Sequence, residues 1–306
     1  MASILITGGA GFIGSNLAEA LGKEHSVTVL DDFSTGKKEN LKGLAKVKII
    51  RGDICDRAKV RDSLKDIDSV IHLAAIASVP RSIANPGEAN RVNAGGTVNM
   101  LFESCRAEVD RFIYASSSAV YGDAPGLPKR ENSDLSPISP YAATKLAGEK
   151  FCSFFERNFG ISTISFRYFN IYGPRQDPNS EYAAVIPKFI SLMKKGKRPV
   201  IFGDGKQTRD FTCVSDVIRA NELALNSKKG SDKAFNIASG KEISLIELVE
   251  TLNKLLGKRL EPVHKPARPG DIKHSFADIS KARKALGYSP KSSLEAGLKE
   301  LLSRAP

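Results

Sequence analysis

Tyr141 and Lys145 stand four residues apart in Tyr141-Ala142-Ala143-Thr144-Lys145. On a helix that spacing puts a phenol and an ammonium on one face. A phenol ionises near pH 10 and is a weak base at neutral pH. A cation held nearby favours the phenolate and lowers that pKa. Such a pair can move a proton on or off a hydroxyl or carbonyl group. A solvated lysine beside a half-buried tyrosine gives the same spacing, so the meaning of the pair depends on its surroundings.

A second stretch supplies a candidate partner. Thr7-Gly8-Gly9-Ala10-Gly11-Phe12-Ile13-Gly14 lies between an apolar run, Ile4-Leu5-Ile6, and an apolar-periodic segment from Ile13 to Leu21. The glycines at 8, 11 and 14 follow G-x-x-G-x-x-G, a variant of the dinucleotide fingerprint. Glycine permits the tight turn and lets backbone N–H groups approach a pyrophosphate at the helix start. Asp31 closes the second apolar run, where an acid would bind the adenosine ribose hydroxyls. A carboxylate there disfavours a 2′-phosphate, so NAD is expected over NADP. Asp32 is a possible substitute for Asp31. Asp53, in Arg51-Gly52-Asp53-Ile54, is placed either to reach the adenine or to cap a helix.

The elements that must position these groups alternate. Strands are predicted at Ile4–Ile6, Ser26–Leu30, Val47–Ile50, Ser69–Leu73, Arg111–Ala115 and Ser162–Arg167. Helices are predicted at Ile13–Leu21, Ala94–Cys105 and Tyr141–Phe159. Strand–helix alternation means a parallel sheet covered on both faces, and right-handed crossovers make it doubly wound. After Tyr168 the rhythm changes, with Gly173-Pro174 and Asp177-Pro178-Asn179 marking loops. Helices follow at Ala183–Lys195, Val214–Asn226, Ser244–Leu256 and Ser293–Leu302, with short strands at Pro199–Phe202 and Ala234–Ala238. The expected organisation is a sheet domain, 1–169 plus about 210–233, and a smaller α/β substrate domain, about 170–209 plus 234–306.

Composition narrows the function classes. The 306 residues carry a net charge of +12, which suits nucleic acid, an anionic surface or acidic small ligands. The basic residues are dispersed and no aromatics interleave with them, so a solvated lysine-rich surface is expected and not nucleic-acid binding; a phosphate-bearing substrate would also suit this balance. No apolar run reaches the roughly 18 residues of a membrane span. The N-terminus shows no basic region or cleavage site, and a cytoplasmic protein is expected. Cys55, Cys105, Cys152 and Cys213 are scattered, and His25, His72, His264 and His274 lack metal-ligand spacing, so no metal site is expected.

In order along the chain, several motifs resemble the extended short-chain dehydrogenase/reductase family, and within it the nucleotide-sugar 4-epimerases. They are Thr7–Gly14, Asp31, Asp53-Ile54, His72-Leu73-Ala74-Ala75, Val92-Asn93, Ser116–Gly122, Tyr141-x-x-x-Lys145 and Arg167-Tyr168-Phe169-Asn170. Arg209-Asp210-Phe211 and Arg268-Pro269-Gly270-Asp271 extend the likeness over nearly the whole chain. Three stretches resemble the subgroup acting on UDP-N-acetylglucosamine and UDP-N-acetylgalactosamine. They are Ala77–Ser82, Arg175–Asn179 with Tyr182–Pro187, and His274–Asp278.

The resemblance implies a Rossmann-like fold, bound NAD, a UDP-sugar substrate and a homodimer joined through Val92–Cys105 and Tyr141–Phe159. It implies that Tyr141 takes the proton of the sugar 4-OH while C4 gives a hydride to NAD. Lys145 would activate Tyr141 and hold the nicotinamide ribose, Ser118 would bind the 4-oxygen, and Ser116 and Ser117 would line the site. NAD would be held by Gly8, Gly11, Phe12, Ile13, Gly14, Asp31, Asp32, Ser34, Thr35, Gly36, Asp53, Ile54, Leu73, Ala74, Ala75, Asn93, Ser116, Tyr141, Lys145 and Phe169. For the substrate, Asn170, Arg209 and Arg268 would take the diphosphate, Asp271 the uridine ribose, and Ala184, Val185 and Val200–Phe202, including Ile201 and Phe202, the uracil. Ala77, Ser78, Gln176, Lys188 and Ser275 complete the substrate set. Gln176 would meet an acetamide, and the small Ser275 would admit one. Ser116–Gly122 has no acid to eliminate water, unlike related dehydratases. A UDP-glucuronate 4-epimerase is the close alternative, with Arg81 as the cation for its carboxylate. An NAD-sensing or RNA-binding protein on the same fold is the non-enzymatic one, and such proteins tend to lose the Tyr/Lys pair.

Overall fold

The computed structural model describes residues 1–178, 184–227, 233–267 and 272–304. Seven parallel strands form its main sheet. In chain order they are Ser3–Thr7, Ser26–Asp31, Val47–Arg51, Ser69–His72, Arg111–Ser117, Ser162–Tyr168 and Lys233–Ile237. Across the sheet they run third, second, first, fourth, fifth, sixth, seventh. The order reverses between the first and fourth strands, where Thr7 pairs with His72. A crevice opens at the carboxyl ends of the strands at such a switch point, and ligands bind there.

Alternation along the inner strands buries both faces, whereas the edge strand Val47–Arg51 is partly exposed. Ile4, Ile6, Val27, Val29, Ile71, Ile113, Ile164 and Phe166 face a core shared with the helices Phe12–Leu21 and Val214–Asn226. Leu5, Leu30, Val70, Phe112 and Tyr114 face the other side. There they meet Val60 and Leu64, Met100 and Leu101, and Cys152 and Phe155. These last belong to or adjoin the helices Arg57–Ser63, Gly96–Arg106 and Pro140–Phe159. Two-sided burial explains why these strands read as continuous apolar runs.

One expectation is corrected. Residues 234–238 were assigned to the small unit, yet Lys233–Ile237 pairs in parallel with Ser162–Tyr168 as the seventh strand. Phe235 and Ile237 are buried in the large core together with Ala277, Ile279, Ala282, Leu286 and Tyr288. The helix Ser280–Leu286 therefore also packs on the large sheet. A five-residue strand carries no mark of which sheet it joins, and its burial against Ile164 and Phe166 settles the matter here.

A separate core holds the small unit, built from Phe189, Met193, Ile201, Phe211, Leu248, Leu252 and Leu298 among others. Its helices are Val185–Lys194, Leu245–Leu256 and Leu294–Arg304. Val200–Phe202 pairs in parallel with Val263–Lys265. Thr208–Arg209 pairs with Ile243–Ser244 on one side and His274–Ser275 on the other. No helix among the described residues is long and apolar enough to cross a membrane.

Candidate active site

The glycine turn is built by crowding. Gly8 has φ +69°, and a Cβ there would stand 2.8 Å from the backbone nitrogen of Ala74. A Cβ on Gly14 would lie 2.3 Å from the Gly8 carbonyl oxygen. Only hydrogen fits at both positions, so the strand end, turn and helix stay in contact. Gly11 caps the helix Phe12–Leu21 with no side chain bonded to its first N–H groups. Gly11, Phe12, Ile13 and Gly14 thus present an uncapped helix start, the arrangement that favours a pyrophosphate.

Asp31 ends the second strand beside this turn. Its carboxylate accepts from the Ala10 N–H (2.8 Å) and the Phe33 N–H (2.8 Å). Burial pushes its pKa up, and the two backbone donors hold it down. Two of its roughly four lone-pair positions are spent, which leaves acceptors for a ribose diol. Gly36 lies so close that a Cβ would meet Asp31 Oδ1 at 2.9 Å. A cleft runs from Gly8, Asp31, Asp32, Ser34 and Thr35 past Asp53 and Ile54 to Leu73, Ala74 and Ala75. Asp53 accepts from the Cys55 N–H (2.8 Å) and faces Arg91 at 3.6 Å. The following helix is capped by Asp56 instead, so Asp53 remains on the cleft.

Tyr141 and Lys145 sit on the helix Pro140–Phe159. Ser139 caps it, accepting from the Ala142 N–H, and Pro140 supplies the first turn. The Tyr141 N–H donates to Ser82 Oγ (3.1 Å). Lys145 is buried, and its ammonium donates to the Ala115 carbonyl oxygen (2.8 Å). It lies 5.1 Å from the centre of the Tyr114 ring and 5.9 Å from that of Tyr141. Burial pulls the Lys145 pKa down to about 8. The expected depression of the Tyr141 pKa by Lys145 is not what the protein alone shows. Burial raises the Tyr141 phenol above its ordinary value, and the Ser117 hydroxyl works against that rise. The Lys145 ammonium donates to a strand carbonyl, and the phenol is desolvated.

Two cavities continue from this point. One, of ≈ 470 Å³, is lined by Ser118, Ala119, Gly122, Asn170, Arg209 and Ser275 together with Val79, Ile83 and Lys129. The other, of ≈ 500 Å³, is lined by Ala184, Val185, Lys188, Val200, Phe202, Gln207 and Lys265. Asn170 and Arg209 border both. Asn170 has φ +31° at the end of the sixth strand, and its amide donates to the Asp210 carbonyl oxygen (3.3 Å). A pairing of Arg209 with Asp210 is not formed. The Asp210 carboxylate is buried and accepts from Ser239, Gly240 and Ala277, while Arg209 donates to the Thr208 carbonyl oxygen.

Several of the expected site residues have side chains engaged within the protein. The Asn93 amide accepts from the Ile76 N–H (2.7 Å) and donates to Thr144 Oγ1 (3.0 Å), so it clamps two elements together instead of facing the cleft. Ser116 is buried and donates to Glu149. Phe169 is wholly buried in the sheet core, its ring beside Tyr121. Strand alternation turns Ile201 into the small core and leaves Val200 and Phe202 on the cavity. Ser78 caps the helix Val79–Ala84, and it is Val79 and Ile83 of that helix that reach the sugar-side cavity, with Ala77 exposed outside it. The Gln176 amide donates back to the Ile171 carbonyl oxygen, and its own oxygen is buried away from both cavities. Arg81 pairs with Glu88 at 2.7 Å on the rim of the cofactor cleft, away from the sugar-side cavity. Arg268 and Asp271 lie outside the described residues.

Sequence reasoning missed Lys129, Gln207 and Lys265. Each reaches a cavity through a strand pairing or loop path that leaves no local pattern. Gly122, which closes the Ser116–Gly122 motif, has φ +55°, and a Cβ there would collide with the Ser136 carbonyl oxygen.

A dinucleotide cleft at the switch point, a buried Tyr/Lys pair and a paired cavity beyond it define an NAD-using enzyme of the extended short-chain dehydrogenase/reductase fold. The chain belongs to the NAD dependent epimerase/dehydratase family, whose pattern matches residues 4–238. It is 40% identical to a protein of Methanocaldococcus jannaschii named putative UDP-glucose 4-epimerase, over 98% of this chain and 97% of that one. The UDP-N-acetylglucosamine 4-epimerase of Methanobrevibacter ruminantium, solved with UDP-N-acetylmuramic acid, is 40% identical and superposes with a TM-score of 0.95, covering 99% and 97% of the two chains. The UDP-glucuronic acid 4-epimerase of Bacillus cereus, solved with UDP-glucuronic acid and NAD, is 37% identical with a TM-score of 0.90, covering 98% of each.

Proposed function

We propose that the protein is a UDP-hexose 4-epimerase that interconverts UDP-N-acetylglucosamine and UDP-N-acetylgalactosamine, and also UDP-glucose and UDP-galactose. The observation that carries this reading is a single cavity lined by both Ser118 and Ser275, meeting a nucleotide-sized cavity at Asn170 and Arg209. Asn170 and Arg209 at the junction suit a diphosphate, since a guanidinium fork matches phosphate oxygens. Ala184, Val185 and Phe202 offer an apolar seat for the base.

NAD, when bound, supplies a hydride acceptor that later returns what it took. The chain's own residues do the rest. Gly8–Gly14 and Asp31 fix the cofactor. Tyr141, with Ser117 at its hydroxyl, exchanges the proton of the sugar 4-OH, and Ser118 orients that oxygen. Lys145 stays anchored on Ala115 and supplies positive charge beside the phenol. Among the described residues no Asp or Glu lines the sugar-side cavity, so no acid stands ready to expel a hydroxyl. That favours oxidation and re-reduction of one carbon over dehydration. The relatives named as 4-epimerases support the same reaction.

The uronate alternative is supported by the relative from Bacillus cereus. Its nominated cation, Arg81, is committed to Glu88 elsewhere. The non-enzymatic alternative is disfavoured by the retained Tyr141 and Lys145. We also propose a homodimer joined through Val92–Cys105 and Tyr141–Phe159.

A coupled assay that follows UDP-N-acetylgalactosamine formed from UDP-N-acetylglucosamine tests the reading, with UDP-glucuronate in parallel. Turnover of the uronate alone would overturn it. Tyr141→Phe should lower turnover by roughly 10²–10⁴-fold, the usual worth of a positioned proton shuttle. NAD should still co-purify with that variant. Unchanged turnover would remove Tyr141 from the mechanism.

A further inference from the structure

The sugar-side cavity does not end at Ser275. It shares Gly122, Lys129, Ile138 and Ile272 with a neighbouring cavity of ≈ 380 Å³. The charged or titratable side chains on this extension are Lys129, Lys273 and His274, with Asp123 the one acid. Two of them are already engaged. Asp123 accepts from Ser136 Oγ (3.4 Å), and His274 Nδ1 meets Thr208 Oγ1 (2.9 Å) and Glu242 (3.2 Å).

Lys129 borders both cavities, so it stands at their junction. Its backbone is rooted on three sides. Its N–H donates to the Phe276 carbonyl oxygen (2.9 Å), and its own carbonyl accepts from the Asp278 N–H (2.9 Å) and from the Asn236 amide (2.9 Å). The residue is 6% exposed. An ammonium has three donors. The Ala124 carbonyl oxygen is the acceptor it meets among the described residues, and no carboxylate there lies within ion-pair distance. Burial holds its pKa below the ordinary lysine value, partly offset by Asp123. A desolvated ammonium with unused donors gains most from an anion placed against it. Lys129 shares the sugar-side cavity with Asn170 and Arg209 but does not border the nucleotide cavity, where Lys188 stands.

We infer that the junction is a subsite for an anionic substituent on the sugar. A UDP-sugar bearing a carboxylate sets that group against the Lys129 ammonium, and a longer arm extends it toward Lys273. The inference rests on the UDP-sugar reading above and adds a substrate class to it. Neutral hexoses occupy the first cavity alone, and acid-bearing sugars use both.

The test is calorimetric titration of the NAD-loaded protein with UDP-N-acetylglucosamine, UDP-glucuronic acid and UDP-N-acetylmuramic acid. The first is neutral at the sugar. The second carries its carboxylate on the ring, and the third on an ether arm. The readout is the ratio of each acid sugar's Kd to that of UDP-N-acetylglucosamine. Lys129→Met should raise the ratio by about tenfold for at least one acid sugar, the scale of a lost charge-assisted hydrogen bond. Lys129→Arg should restore part of it. A ratio that Lys129→Met leaves unchanged overturns the inference, as does a wild-type protein that binds neither acid sugar. The wild-type protein gives a second test that needs no variant. Added salt should weaken the preferred acid sugar more than UDP-N-acetylglucosamine, since it carries one more screened charge. Equal salt dependence overturns the inference. Binding ratios do not depend on turnover, so failure of the epimerase reading would appear separately, as bound UDP-N-acetylglucosamine that is not converted.

Discussion

Ser275 lines the sugar-side cavity from the short strand His274–Ser275, held in parallel register against Thr208–Arg209. Its small side chain leaves room that a larger one would fill. Ser275→Tyr should therefore cut kcat/KM for UDP-N-acetylglucosamine relative to UDP-glucose by roughly 10–200-fold, the range a pocket's steric fit commands. Equal losses on both substrates would show that Ser275 does not read the acetamide. His72 makes a prediction about pH. Its ring is buried between Thr7 Oγ1 (2.7 Å) and Thr97 Oγ1 (3.0 Å), stacked on Tyr114. Burial, aided by the Lys145 charge, lowers its pKa to about 3. The folded protein keeps the ring neutral while the unfolded chain protonates it below about 6.5. Stability is therefore unaffected by this group above pH 6.5 and is lost as pH falls from 6.5 toward 3, by roughly several kcal/mol in total. Urea midpoints across pH 4–7 should fall more steeply for the wild type than for His72→Gln. Parallel curves would mean His72 is not a neutral strut.

At the scale of elements, the turn that carries Ser118 is fixed by a buried ionic network. Arg167 on the sixth strand meets Glu149 on the long helix through two bonds, at 2.9 and 2.7 Å. Ser116 donates to the same carboxylate. Arg167 also donates to Tyr121 Oη (2.9 Å), which donates to Asn236 on the seventh strand (2.6 Å). Three strands, a helix and the turn Ser118–Tyr121 are thereby tied together. Glu149→Leu leaves a buried guanidinium without its partner and should cost about 3–5 kcal/mol in denaturant unfolding. The double variant Glu149→Leu with Arg167→Met should recover much of that loss. A single variant as stable as wild type would refute the network's role. Sequence periodicity found the six strands and the helices that flank them, because two-sided burial writes itself as apolar runs. It did not find the seventh strand's sheet, since Lys233–Ile237 looks the same whichever neighbour it takes. That the Asn93 and Ser116 side chains bond Ile76, Thr144 and Glu149 was not legible for a similar reason. A polar residue next to a site and a polar residue holding the site have the same letter in the sequence.

For the whole molecule, the long helix leaves an aromatic surface outside the core. Phe154 is 51% exposed and Phe159 52%, and both rings contact the buried Phe155. The proposed homodimer would cover them, so Phe154→Glu should shift the species in sedimentation velocity from twice the chain mass toward one. A monomeric wild type would rule the dimer out. The sequence by itself determined the candidate cofactor site, because the glycines at 8, 11 and 14, the acid at 31 and the Tyr141/Lys145 pair are local patterns set by backbone sterics and helix spacing. Only the tertiary structure decided the rest. That Lys145 is anchored on a strand carbonyl while lying near the phenol depends on the fifth strand beneath it. That Lys129 borders the sugar-side cavity and Arg81 does not depends on which distant strands meet, and long-range packing leaves no period in the chain to read.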